Sequence, residues 1–131
     1  ILKGNKDYKK YTDAGIITTK LNIFELYIKI IREETEENAD KIIKRYYPFT
    51  KDFDEEIIKS AAKLKNKINK RNVSMTDCIG YEMAKQLGIK FLTGDKEFED
   101  LDNVEFVKWS SLRQDLRASK DKTRTNLLLS P

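Results

Sequence analysis

Two spacings of apolar residues alternate along the chain and divide it into helices and strands. The run from Thr76 to Leu87 carries Cys78, Ile79, Tyr81, Met83, Ala84 and Leu87, apolar on most sides of a helical wheel, so it predicts a largely buried helix. Ser74 is placed to cap its start, and Gly88 stands where a left-handed residue ends a helix. Ile89 to Thr93 is a short run of strand type, closed by the turn signal Gly94-Asp95. Upstream, the β-branched Ile16 to Thr19 predicts a short strand. Lys20 to Ile31 then places Leu21, Ile23, Phe24, Leu26, Tyr27, Ile28, Ile30 and Ile31 on nearly every face, which predicts a buried helix. Thr35 caps a helix whose Ala39, Ile42, Ile43, Tyr46 and Tyr47 share one side, and Pro48 stops it. Phe49 to Phe53 reads as a brief edge strand. Asp54 opens an amphipathic helix through Ile57, Ala61, Leu64 and Ile68, and Val104 to Val107 reads as the final strand. Ahead of all these, Ile1 to Asn5 reads as the last turn of a helix, and Lys6 to Thr12 as at most a short polar one.

Strands separated by helices call for parallel pairing, and the fold class expected is a three-layer α/β/α sandwich with a parallel central sheet. With 131 residues the chain suffices for one domain with a real core. Composition narrows the chemistry further. A single cysteine, Cys78, excludes an internal disulfide, and the absence of histidine excludes a zinc cluster or a histidine-based triad. Neither a signal peptide nor an apolar run long enough to span a bilayer is visible, so a cytoplasmic protein with no membrane partner is expected.

Catalysis, if present, must rest on carboxylates, hydroxyls, lysines or bound metal. Three acids lie next to strand ends: Glu25, one turn into the helix after the first strand, Asp77 at the start of the buried helix, and Asp95 after the following strand. In an open α/β sheet the crevice beyond the carboxyl ends of the strands is the usual place for a site. Each acid also has a structural reading. Asp77 forms a capping-box-like pattern with Ser74, Asp95 can cap the turn Lys96-Glu97-Phe98, and Glu25 can be a buried acid bonded to a Lys or Arg. Three carboxylates in one pocket cannot all stay ionised without a cation, and their oxygens suit Mg²⁺ or Mn²⁺, which points to metal-assisted phosphodiester hydrolysis.

The blocks ITTKLNIFEL, Ile17 to Leu26, and VSMTDCIGYEMAKQLGIKFLTGDKEF, Val73 to Phe98, resemble the two signature blocks of PIN-domain ribonucleases, especially prokaryotic VapC-type toxins of toxin-antitoxin pairs. The resemblance runs from Ile1 to about Trp109. It implies a Mg²⁺- or Mn²⁺-dependent endoribonuclease acting on RNA, often a homodimer and inhibited by an antitoxin protein. On that basis Glu25, Asp77 and Asp95 are the metal ligands and catalytic acids, with Thr93 their hydroxyl neighbour. The family's fold begins with a central strand ending in an aspartate, and this sequence starts after that element; Asp7 and Asp13 do not match it. The alternative to the enzyme is therefore a catalytically impaired module of the same fold that binds RNA or dimerises.

The expected division is a PIN-like domain over residues 1–109, incomplete at its N-terminus, and a basic C-terminal tail over 110–131. Arg113, Arg117, Lys120, Lys122 and Arg124 against Asp115 and Asp121 give that tail three of the chain's net +4 charges. A basic arm suits phosphate tracking, and a solvated terminus is the plainer reading. One segment of it is different in kind: Thr125 to Leu129 is apolar and has no evident place in the domain. A sheet without its central strand leaves unpaired backbone on both sides of a slot, so this segment is expected to dock as an added strand or an apolar plug, in its own domain or in a neighbouring copy.

Overall fold

Side chains of each strand alternate between two apolar layers, and that alternation assigns the helices to the two faces of the sheet. The computed structural model describes residues 16–118 and 127–131; the expectations for Ile1 to Asn5 and for a helix at Lys6 to Thr12 lie outside the described residues. Four strands, β1 (Ile16–Ile17), β2 (Lys90–Thr93), β3 (Val104–Phe106) and β4 (Leu127–Ser130), form one sheet in the order β1-β4-β2-β3. Every pairing is parallel, with Ile16 opposite Leu127, Thr93 opposite Ser130 and Phe91 opposite Val104. Helices α1 (Lys20–Glu33), α2 (Glu36–Tyr46), α3 (Glu55–Lys67), α4 (Met75–Leu87) and α5 (Trp109–Ala118) complete the elements. None of these helices is long and apolar enough to cross a membrane.

Ile17, Phe91 and Leu128 point to one side, where they pack with Ile57 and Ala61 of α3 and with Cys78, Ile79, Tyr81 and Met83 of α4. Leu92, Leu127 and Leu129 point to the other, against Ile23, Leu26 and Ile30 of α1, Ile42 of α2 and Leu112 of α5. The result is the expected three-layer α/β/α sandwich. Thr19, Thr35, Asp54 and Ser74 each accept a backbone N–H in the first turn of the helix they precede. Gly88 closes α4 at φ +73°, the left-handed conformation that glycine adopts without a Cβ penalty. Gly80 lets α4 lie close on the sheet, because a Cβ there would stand 2.9 Å from the Phe91 ring.

Three expectations differ from what is observed. First, α1 is not buried all round: Phe24 and Ile31 are 65% and 42% exposed, because only Asn22, Ile23, Leu26 and Ile30 face inward. Second, Phe49 to Phe53 makes no strand. Pro48 sits in a single 3₁₀ turn, Tyr47–Phe49, after which Thr50 makes one isolated bridge to Thr18. Third, β3 is not the last strand. Among the described residues beyond 109, which are 110–118 and 127–131, the leucines pack into the core. Leu112, Leu116 and Leu127 to Leu129 are all at most 3% exposed, and Arg113 pairs with Glu33 at 2.7 Å and with Glu34 at 3.1 Å. The physical reason is the slot itself. Between β1 and β2, β4 pairs with a neighbour on each side, and the Thr18 hydroxyl donates a further 2.9 Å bond to the Leu129 carbonyl. Of the segment Thr125 to Leu129 expected to dock, Leu127 to Leu129 do so as an added strand within the chain's own sheet, and Thr125 and Asn126 lie outside the described residues.

Candidate functional site

All four strands run the same way, so their carboxyl ends share one edge, and at that edge β4 and β2 end side by side at Ser130 and Thr93. Asp95 follows β2 by two residues. Its backbone N–H donates to the Thr93 hydroxyl at 3.0 Å, and its Oδ1 accepts from the Glu97 N–H at 2.9 Å. This is the capping role foreseen as the plain reading, and it leaves the carboxyl group held at the cleft. Thr93 itself is fully buried beneath the turn and acts by fixing it.

Asp77 sits in the first turn of α4, where its N–H donates to Ser74 Oγ at 3.0 Å. Its carboxyl group turns the other way, toward the sheet. There Ser130 Oγ donates to Asp77 Oδ1, and Asn22 Nδ2 donates to Ser130 Oγ at 2.9 Å. Thr19 Oγ1 in turn donates to Asn22 Oδ1, so a chain of buried polar groups runs from the end of β1 to the first turn of α4. Ser130 and Asn22, both at most 1% exposed, were missed as site residues from the sequence. The only signal for Ser130 was its position at the end of an apolar run of strand type.

The Asp77 carboxyl group is 6% exposed as a residue, and its pKa is pushed up to about 7. Burial is the largest cause; a hydrogen bond to Asp95 and the charges of Asp95 and Glu25 add to it, while the Ser130 bond opposes it. The Asp77 carboxyl group is thereby drawn toward its protonated form beside Asp95. Glu25 is half-buried on α1 and not enclosed as its apolar neighbours suggested. It lines, with Asp77 and Asp95, an open cavity of about 620 Å³. Lys29, Arg32 and Lys96 stand on the same wall, and Asn72, Ser74 and Pro131 border it.

A donor set of carboxylate oxygens suits a hard divalent cation, and the raised pKa of Asp77 marks where positive charge is wanted. As they stand, no three acidic or cysteine side chains among the described residues are gathered closely enough to hold a metal ion. Asp77 and Asp95 are the pair in contact, with Glu25 acting on Asp77 through space.

No curated protein and no solved structure matches the chain. The family model described as PIN domain matches residues 3–104, which takes in α1, α4 and β2 and so all three acids. The chain belongs to the PIN-domain family, whose members are generally nucleases acting on RNA.

Proposed function

We propose that this chain is a Mg²⁺- or Mn²⁺-dependent endoribonuclease and the toxin of a toxin-antitoxin pair, working as a homodimer that an antitoxin protein restrains. The observation that carries the enzymatic part is the meeting of Glu25, Asp77 and Asp95 in one cleft at the carboxyl edge of a parallel sheet. Asp77 and Asp95 would hold the cation, in place of the proton that Asp77 takes up, and Glu25 would face it across the cavity. A divalent ion in that place supplies a water of lowered pKa and an electrophile for a phosphate oxygen. Lys29, Arg32 and Lys96 on the cavity wall attract the RNA backbone and hold a phosphate over the acids. Thr93 and the Asn22–Ser130 pair keep the two aspartates aimed into the cleft by the hydrogen bonds described above.

One observation favours the second reading, an impaired module that binds RNA. We infer that β4 stands in for the family's first strand, and that Ser130, a neutral hydroxyl, occupies the place of that strand's aspartate. A site with three acids binds a cation less strongly than one with four. Cleavage of a single-stranded RNA in Mn²⁺ separates the two readings. The enzyme is expected to cut, to lose cutting in EDTA, and to gain rate or metal affinity in Ser130→Asp. A wild-type protein that binds RNA but leaves it intact, with cutting restored in Ser130→Asp, would establish the module instead.

A further inference from the structure

Away from the acidic cleft, a second hollow of about 380 Å³ opens between α3, α4 and the turn that precedes β3. It shares no lining residue with the cleft. Asp77 lies at the cleft end of α4, and Lys85, two turns further on, stands about 12 Å along the helix axis from it. Leu64 of α3, Ile68 just past its end and Leu101 are half-buried against the core and give the hollow an apolar floor. Around that floor are three lysines, Lys63 and Lys67 of α3 and Lys85 of α4. None of the three forms an ion pair among the described residues. Lys63 and Lys67 are four residues apart on one helix face, where like charges repel and destabilise the helix, so an anion beside them is favoured. Lys85 is held in place by the Tyr81 ring, whose centroid lies 5.4 Å from its Nζ.

Two acids, Glu82 and Asp102, share the hollow with these cations. The Tyr81 hydroxyl donates to the Asp102 carboxylate and, at 2.8 Å, to the Asp102 carbonyl. That hydroxyl, together with the charges of Lys85 and Lys67, holds the Asp102 carboxyl below the usual carboxylate range. The hollow thus has an apolar floor, unpaired cations and fixed acceptors within one small volume.

We propose that this hollow binds a nucleoside monophosphate, with its phosphate held by Lys63, Lys67 and Lys85, its base laid over Leu64, Ile68 and Leu101, and a ribose hydroxyl donating to Glu82. The site stands independently of the nuclease reading. Its volume falls within the roughly 300–1,000 Å³ of small-molecule sites, and lysine ammonium groups suit a phosphate as point charges. A continuous polyanion such as RNA would bring phosphates against Glu82 and Asp102, whereas a ligand charged at one end presents hydroxyl and amino donors to them. Inorganic phosphate or a sugar phosphate would satisfy the lysines and leave the apolar floor in water.

Isothermal titration calorimetry in EDTA, with adenosine monophosphate, adenosine and inorganic phosphate, compares wild type with the double variant Lys67→Gln/Lys85→Gln. Both lysines are exposed, so the two proteins are expected to melt together. Adenosine monophosphate is expected to bind wild type more tightly than adenosine or phosphate does. The double variant is expected to weaken it about tenfold or more, the worth of one charged hydrogen bond, and to leave adenosine unchanged. Cutting of a uridine decamer in Mn²⁺ is expected to be equal in the two proteins. Equal affinity of both proteins for adenosine monophosphate overturns the site, and so does failure of wild type to bind it. Phosphate binding as tightly as the nucleotide reduces the hollow to an ion site and overturns the nucleotide. A variant that cuts or binds the decamer more weakly, with no change toward the nucleotide, makes the lysines a contact for RNA and also overturns it.

Discussion

Asp77 shows how one residue can be read as a helix-start acid and still serve a site. Its N–H takes the Ser74 cap, and its carboxyl group is free to face Ser130 and Asp95. In the metal-free protein the folded state binds the Asp77 proton more tightly than the unfolded chain does, since the pKa is raised from 3.8 to about 7. That contribution to stability is complete below the unfolded value, falls as pH rises toward 7 and stays lost above it, at a cost on the order of 2–4 kcal/mol. Asp77→Asn keeps an acceptor for Ser130 and supplies a permanent donor to Asp95, so it copies the protonated acid. In EDTA at pH 8 it is expected to melt several degrees above wild type, and the gap is expected to close toward pH 4, read by thermal melts across that range. A gap that stays constant with pH would separate the stability change from the buried proton. The positions of Glu25, Asp77 and Asp95 were legible because each lies beside a strand end whose pattern is plain. Ser130 was not, since a serine after three leucines carries no chemical signature until the strand is seated next to β2.

At the scale of elements, local pattern served best where capping and periodicity agree. Ser74, Gly88 and the apolar positions between them mark α4 almost residue by residue. It served least where two neighbouring elements decide the outcome together. The apolar face of α1 exceeds what α2, α5 and the sheet can cover, so Phe24 and Ile31 stay outside, and nothing in the local run says which of its residues those will be. α5 escaped notice because its polar residues dominate; only Leu112 and Leu116, both within 1% of full burial, reach the core. β4 was foreseen by a different route, from the backbone pairing that an open slot demands. Leu128 is the centre of that strand, fully buried against Gly80 and α4. Leu128→Ala is expected to cost about 2–5 kcal/mol in urea unfolding, the range for a leucine deleted from a core. A cost below about 1 kcal/mol would mean that β4 is not held in the sheet.

Taken whole, the molecule sets a close-packed sandwich behind a cleft that gathers charged groups of both signs at one edge. Three acids and three cations, Lys29, Arg32 and Lys96, line that cleft, so a bound divalent ion would turn its field positive and suit a phosphate. The architecture followed from the order of strands and helices, because parallel connections allow few arrangements. The central place of β4 was legible only through the open slot, since pairing between positions more than a hundred residues apart leaves no periodicity to read. Cation binding is the property on which the account of the cleft depends most. The most direct measurement is a titration with Mn²⁺ followed by electron paramagnetic resonance, for wild type, Glu25→Gln, Asp77→Asn and Asp95→Asn. One bound ion is expected in the wild type, weakened about tenfold or more in the two aspartate variants and less in Glu25→Gln, with RNA cleavage falling in the same order. Mn²⁺ binding of equal strength in wild type and in both aspartate variants would contradict the account.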